Sequence, residues 1–162
     1  MRRDLVIDGV AFGTATIEGD DATDSIISIY RSLDRGDINC IVLDGLIISM
    51  YNIIDGNYIL KETGLPVVAI TFEDSKGLEK SIKSHFPTKW QLKLEQYERL
   101  GQREKIMLKT GKNLFVRCWG LSQHQALAIL NPLTLQGSVP EPIRVAKLVA
   151  RALHSPLLHD RF

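Results

Sequence analysis

The sequence predicts an α/β protein of one domain, residues 1–162, with a sheet that opens with an antiparallel hairpin. Two kinds of segment alternate along the chain: short continuous apolar runs, typical of buried strands, and amphipathic runs with helical spacing. Such alternation is typical of an open sheet flanked by helices. The length of 162 residues, of which 44% are hydrophobic and 24% charged, fits one globular domain.

Local patterns predict each element in turn. The dipeptide Asp8-Gly9 lies between two β-rich runs and predicts an antiparallel hairpin, because a type I′ turn requires positive φ at both positions. The helix that follows has Asp21 or Thr23 as its N-cap. Helices are predicted over 22–34, 51–63, 75–85, 88–100 and 122–130, and within 138–153. Strands are predicted over 38–43, 65–72, 104–109 and 113–119.

Composition and charge argue against several classes of protein. The net charge is +1, so binding to nucleic acid would need a local basic patch. No apolar run approaches the ~20 residues that cross a bilayer, and the N-terminus lacks the apolar core of a signal peptide. We expect no membrane association and a cytoplasmic location, with Cys40 and Cys118 as buried free thiols. The histidines and cysteines lack zinc spacing, and no phosphate-binding loop or nucleophile elbow is present.

Acidic side chains follow predicted strands at two places. Glu18, Asp20 and Asp21 stand in "TIEGDDAT", and Asp44 ends the run "CIVLDG". Ligands of open α/β sheets bind outside the carboxyl ends of the strands. Carboxylates brought together there suit Mg²⁺ or Mn²⁺, which bind phosphates and activate water for phosphodiester cleavage. Asp is also a common N-cap and turn residue, so a structural use of these positions is the alternative.

The segment "SVPEPIRVAKLVARAL", residues 138–153, predicts a helix with one basic face. The basic residues are spaced i, i+3 and i+7: Arg144, Lys147 and Arg151. Apolar residues that include Ile143 and Leu148 are expected on the buried face. The basic face predicts phosphate contacts beside a metal site. The alternative is a solvated face of an ordinary amphipathic helix.

Several segments resemble one protein family in sequence order. "SVPEPIRVAKLVARAL" resembles the C-terminal motif of the mainly archaeal domain-of-unknown-function 99 family, a relative of endonuclease V. "EGDDATDSI", "IVLDGLIISMYNIID", "TGLPVVAI" and "FVRCWGLSQHQALAIL" resemble further segments of the family, so the resemblance covers nearly the whole chain. It implies a ribonuclease H-like fold, with a five-stranded mixed sheet whose first three strands are antiparallel and with helices on both faces of the sheet.

The resemblance also implies a difference at the N-terminus. Family members begin with a strand that ends in an Asp-rich turn, and "MRRDLVIDGV" aligns within their second strand. The chain is therefore expected to lack the central first strand and its metal-binding aspartate. A missing central strand would leave unpaired edges, which favours association into a homo-oligomer.

The family's functional residues carry over only in part. Asp44 matches the catalytic aspartate of endonuclease V, and the catalytic glutamate aligns near Asp20 or Asp21, where the residue type differs. Thr71-Phe72 stands where endonuclease V has a lysine after a strand. Lys147 stands where those proteins often have His or Asp, and a cation there suits phosphate better than metal.

Three functional hypotheses follow. In the first, the protein is an endonuclease V-like, metal-dependent nuclease of DNA or RNA, in which Asp44 with Asp20 or Asp21 is catalytic and Asp44 and Asp21 hold Mg²⁺ or Mn²⁺. Its basic helix then binds substrate through Arg144, Lys147 and Arg151. In the second, the protein is a catalytically degenerate module that binds nucleic acid or protein. In the third, it is a structural or assembly protein.

Overall fold

The computed structural model of the protein describes residues 1–74 and 77–153. Within them the helices are α1 (Ala22–Ser32), α2 (Gly56–Thr63), α3 (Glu79–His85), α4 (Trp90–Arg99), α5 (Gln123–Leu130) and α6 (Glu141–Leu153). The strands are β1 (Ile41–Asp44), β2 (Ile47–Ile48), β3 (Asn52–Ile53), β4 (Val67–Thr71), β5 (Glu104–Met107) and β6 (Asn113–Trp119). None of these helices is long and apolar enough to cross a membrane.

The main sheet has four described strands in the order β1-β4-β6-β5. β1 runs parallel to β4, with Asp44 opposite Ile70. β6 is antiparallel to both β4 and β5. The predicted mixed sheet is therefore confirmed, and so is the predicted hairpin between the last two strands.

β4 is central to the packing of the protein because each of its two faces packs into a different hydrophobic cluster. Val67 and Ala69 pack in one cluster with residues of α1 and α2, such as Ile59. Val68 and Ile70 pack in a second cluster with residues of α5 and α6. Side chains alternate along a strand, so a strand covered on both faces needs a continuous apolar run. Helices on both faces, as predicted, follow from this burial.

α5 begins as its sequence predicts. The Ser122 side chain accepts a hydrogen bond from the Gln125 backbone N–H, and the Gln125 side chain accepts one from the Ser122 backbone N–H. This reciprocal capping box satisfies two helix-terminal donors. α6 differs from prediction on its apolar side, where Ile143 is buried but Leu148 remains 59% exposed.

The predicted hairpin at Asp8-Gly9 is wrong. No strand is described in residues 1–21, and Gly9 does not adopt the positive φ that a type I′ turn requires. The Asp8 carboxylate instead pairs with Arg35 at 2.8 Å, which ties this segment to the chain after α1. Five of the larger apolar residues of the segment are exposed: Val6, Ile7, Val10, Phe12 and Ile17.

The predicted helix over 51–63 begins five residues late, since α2 starts at Gly56. Asp55, two residues after the end of β3, is the N-cap and accepts a hydrogen bond from the Tyr58 N–H, which fixes the helix start. Before it, β2 and β3 form a short antiparallel hairpin that the sequence pattern did not predict. Its turn, Ser49–Tyr51, has positive φ at all three residues, although none is glycine.

Candidate functional site

Asp44 lies at the carboxyl end of β1, beside the corresponding end of β4. The next residue, Gly45, has φ of +78° and donates its N–H to the Ile70 carbonyl at 2.8 Å. This hydrogen bond extends the parallel ladder past Asp44 and fixes the position of its backbone. The Asp44 side chain is about one-third exposed. It therefore occupies the sheet edge where α/β proteins bind ligands.

The structure brings Asp44 together with the basic helix. Lys147 of α6 places its Nζ 2.6 Å from Asp44 Oδ2 and 5.2 Å from the centre of the Phe72 ring. Phe72 follows β4 directly. The carboxyl ends of β1 and β4 therefore meet the middle of α6 at this point. The carboxylate, the ammonium group and the aromatic ring form a compact polar site at the sheet edge.

The other two basic residues of α6 have different environments. Arg144 pairs through Nη2 with Glu141 Oε1 at 3.2 Å, one turn earlier. Its Nε–H is buried and has no acceptor among the described residues. Arg151 is exposed and forms no hydrogen bond or ion pair with the part of the chain that is described. Arg144, Lys147 and Arg151 all lie on α6, and each has donors that a phosphate could use.

Asp21 organises the backbone at the start of α1. Its carboxylate accepts hydrogen bonds from the Thr16 hydroxyl at 2.6 Å, the Thr16 N–H at 3.0 Å and the buried Asn52 amide at 2.6 Å. These bonds, with that of the Thr16 hydroxyl first, lower the pKa of Asp21 to about 2. As predicted, Asp21 is the N-cap of α1, but its side chain caps no helical N–H.

Asp20 pairs with Lys93, a lysine that is almost fully buried in α4. Lys93 Nζ lies 2.6 Å from Asp20 Oδ1 and also donates to the carbonyls of Gly19 and Tyr51, at 2.8 and 3.1 Å. All three ammonium donors are thereby used. The hydrogen bond from Lys93 is the main cause that lowers the pKa of Asp20.

The three predicted catalytic carboxylates are thus each bound by protein donors. Asp44 contacts Lys147, Asp20 contacts Lys93, and Asp21 contacts Thr16 and Asn52. Within residues 1–74 and 77–153, no group of three His, Cys, Asp or Glu side chains could hold a metal ion. These residues do not form a ready-made Mg²⁺ or Mn²⁺ site, because oxygen ligands for such an ion must be free to coordinate it.

A second polar cluster lies where the β2–β3 turn meets α3. Glu18 Oε1 is 2.7 Å from His85 Nε2, and the Tyr51 ring is 5.0 Å from the His85 ring. The sequence pattern did not predict this cluster or the buried Lys93, because the residues of each pair lie 67 and 73 positions apart in the chain. The basic and aromatic residues of "EKSIKSHFPTKW" were the signal that could have indicated it.

Both cysteines are free, as predicted, and they are half-buried. Cys40 and Cys118 pack beside the core that contains Val68 and Ile70. Burial raises the pKa of Cys40 to about 11 and raises the pKa of Cys118 as well. Neither thiol is therefore activated as a nucleophile at neutral pH.

Comparison with known proteins gives consistent relatives. The profile of the family described as endonuclease dU matches residues 1–154. A UPF0215 protein of Pyrobaculum calidifontis is 38% identical over 157 residues, which cover 96% of this chain and 86% of that protein. A UPF0215 protein of Pyrobaculum aerophilum is 35% identical over 152 residues, which cover 93% and 81% of the two chains.

One solved structure is also similar. It is the crystal structure of a protein of unknown function from Archaeoglobus fulgidus, with a TM-score of 0.71 and 29% identity. The match covers 85% of this chain and 77% of that chain. Together these similarities confirm the archaeal, endonuclease-related family that the sequence motifs predicted.

Proposed function

The chain belongs to the family described as endonuclease dU, and we propose that it is an endonuclease that cleaves nucleic acid at deoxyuridine. The observation that carries this proposal is the Asp44–Lys147 pair, whose charged atoms lie 2.6 Å apart at the carboxyl end of β1. Phosphodiester hydrolysis needs a group that accepts a proton from water and cations that offset phosphate charge. The pair supplies one carboxylate and one cation at the carboxyl ends of β1 and β4, the position at which open α/β sheets bind ligands.

We assign the roles from the surroundings of each side chain. Asp44 is partly exposed and has a second carboxylate oxygen, which can accept a hydrogen bond from the attacking water. Lys147 can contact a phosphate oxygen while it remains near Asp44, because an ammonium group has three donors. Arg144 and Arg151, on the same helix face, continue the contact along the backbone of the nucleic acid.

Dependence on Mg²⁺ or Mn²⁺ stays a prediction within this proposal. Proteins hold Mg²⁺ through as few as one or two carboxylates when substrate phosphates supply further ligands. In this proposal Asp44 would supply that carboxylate, because Asp20 is held by Lys93 and Asp21 by Thr16 with Asn52. Removal of metal by a chelator therefore tests the prediction separately from the role of Asp44.

The finer fold prediction also belongs here. We propose a ribonuclease H-like topology, supported by the parallel β1–β4 pair and by the position of β1 at the edge of the described sheet. An open edge of this kind supports the predicted homo-oligomer as well. A cytoplasmic location fits the free Cys40 and Cys118 thiols, which a reducing compartment preserves.

A catalytically degenerate binding module is the second candidate. One specific observation favours it: Asp44 is already neutralised by Lys147, and no three-residue metal cluster exists among the described residues. A module of this kind would bind nucleic acid through α6 without cutting it. Binding and cleavage therefore have to be measured on the same substrate.

The test is a cleavage assay with two end-labelled oligonucleotides that differ at one position, deoxyuridine or thymidine. We expect cleavage of the deoxyuridine strand alone, measured with Mg²⁺, with Mn²⁺ and with a chelator. Loss of cleavage in the chelator would support the metal prediction, and retained cleavage would remove it. Tight binding without cleavage under all conditions would favour the binding module, and neither binding nor cleavage would overturn both candidates.

A further inference from the structure

A strained turn positions the half-buried Tyr51 ring beside α3, with its centre 5.6 Å from that of the Phe86 ring. Ser49, Met50 and Tyr51 have φ values of 42°, 56° and 67°, a conformation that L side chains rarely adopt. Two hydrogen bonds hold the turn: the Glu18 N–H donates to the Ser49 carbonyl at 2.8 Å, and Lys93 Nζ donates to the Tyr51 carbonyl at 3.1 Å. Backbone strain of this kind persists where the surrounding structure enforces it, and it clusters at functional sites.

The ring positioned by this turn borders an open cleft. Tyr51, Lys80, Ser81, Ser84 and His85 line a volume of about 430 Å³, which is shallow and largely open to solvent. The Tyr51 ring centre lies 5.0 Å from that of His85, and Glu18 fixes the His85 ring through a contact of 2.7 Å. The cleft therefore combines an oriented aromatic wall with hydroxyl groups and an ammonium group.

The segment that includes α3 is rich in lysine. Between residues 77 and 93 the chain carries Lys80, Lys83, Lys89 and Lys93 but only one acidic residue, Glu79. Lys93 is neutralised by Asp20, whereas the other three lysines are exposed and have no carboxylate partner among the described residues. Lys83 lies 5.0 Å from the centre of the Trp90 ring, so a second aromatic surface is close to the same charges.

Aromatic rings interleaved with unpaired lysines match the chemistry of single-stranded nucleic acid. Every base offers a flat face for stacking, and the backbone offers one negative charge per nucleotide. A duplex would hide its base faces from Tyr51, because they are stacked inside the helix. Inorganic phosphate alone would leave the aromatic wall unused.

We propose that the cleft lined by Tyr51 and α3 holds one unpaired nucleotide of a single strand, with its base on the solvent-facing side of Tyr51 and its phosphate at Lys80. Lys83 and Lys89 contact the neighbouring phosphates. This inference rests on the proposed function and extends it, because it makes the substrate at the binding step an unpaired strand. The cleft is built from the β2–β3 turn and α3, and none of its lining residues belongs to α6 or to the Asp44–Lys147 pair.

The experiment measures binding of a fluorescent single-stranded oligonucleotide containing one deoxyuridine, at several salt concentrations. For Tyr51→Leu we expect roughly 5- to 150-fold weaker binding, the range of one lost base stack, and for Tyr51→Phe near wild-type binding. For Lys80→Ala with Lys89→Ala we expect the slope of log K against log salt to fall by about 1.4, or ~0.7 for each lost phosphate contact. Lys112→Ala, on the exposed β5–β6 turn, is the matched control.

The outcomes separate this inference from the proposed function. Cleavage by the wild-type chain with unchanged binding in the Tyr51 and lysine variants would overturn the cleft and leave the endonuclease proposal standing. Strand binding that depends on Tyr51 and Lys80 without any cleavage would support the cleft and remove the endonuclease proposal. Equal affinity for the single strand and its duplex would also overturn the cleft. Thermal unfolding of each variant shows that the folded protein is being compared.

Discussion

The Nζ atom of Lys147 lies 2.6 Å from Oδ2 of Asp44, although 103 residues separate the two in the chain. The contact joins the C-terminal basic helix to the carboxyl end of β1. It brings together the two features that the sequence predicted independently, an acidic strand end and a cationic helix face. Its geometry leads to the first prediction.

Lys147→Ala should weaken nucleic-acid binding while hardly changing stability. The two side chains are 41% and 35% exposed, and pairs of this kind contribute about 0.2–1 kcal/mol to folding. A double-mutant cycle with Asp44→Ala, followed by urea unfolding, measures that coupling. Lys61→Ala at the end of α2 is the control. A coupling well above 1 kcal/mol, with unchanged binding, would make the pair structural and contradict its proposed role.

Lys93→Met should destabilise the protein by about 1–3 kcal/mol. The substitution keeps an unbranched apolar side chain but removes the donor that serves Gly19, Asp20 and Tyr51. Urea unfolding of this variant beside Lys89→Met, an exposed lysine of the same region, measures the difference. Equal midpoints for the two variants would show that the buried ammonium does not hold the turn.

Asp21 should make stability depend on pH in the acid range. The folded state lowers its pKa from the usual 3.8 to about 2, so the ionised form is favoured by folding. The stability from this group is fully present above about pH 4 and is lost as the pH falls through 2. Asp21→Asn should therefore reduce the fall in the urea midpoint over that window. Asp24→Asn, in the first turn of the same helix, should leave the fall as steep as in the wild type.

Gly56→Ala should destabilise the protein by about 1–3 kcal/mol through steric overlap. A Cβ at this first residue of α2 would collide with the Trp119 ring of β6. Gly36→Ala is a matched control, because a Cβ there meets no atom within 4 Å. Calorimetric melting temperatures of the two variants provide the comparison, and a smaller loss for Gly56→Ala than for Gly36→Ala would contradict the packing.

The parts of the fold that the sequence predicted well are those fixed by local chemistry. β6 has the predicted bounds, and the Ser122 capping box starts α5 where expected. β4 follows from its apolar run, because both faces of the strand are covered. Each of these elements is determined by residues within a few positions of one another, so short windows of sequence suffice.

The predictions that the structure contradicts concern segments whose conformation depends on residues distant in the sequence. Asp8-Gly9 is a strong local turn motif, but Asp8 is held by Arg35 and no partner strand forms among residues 1–21. The β2–β3 turn escaped prediction because Ser49–Tyr51 contains no residue that favours positive φ. Its conformation depends on Glu18 and Lys93, which are distant in sequence.

Part of the candidate site could be predicted from the sequence and part of it could not. The position of Asp44 at a strand end followed from its apolar run, and α6 carried its basic face in the sequence. The sequence could not show which partners bind the other acidic side chains. Asp20 is bound by Lys93 and Asp21 by Asn52, through contacts that only the folded chain creates. A short acidic motif cannot distinguish a metal ligand from a hydrogen-bond acceptor.

The proposed catalytic role of Asp44 is tested most directly by the single-turnover rate of cleavage at deoxyuridine. This rate is measured for the wild-type protein and for Asp44→Asn. The substitution keeps the shape of the side chain and removes its charge, and loss of a general base lowers such rates by about 10²–10⁴-fold. We predict a loss in that range, with Asp24→Asn equal to the wild type. Cleavage by Asp44→Asn at the wild-type rate would contradict the proposed role of Asp44 as the general base.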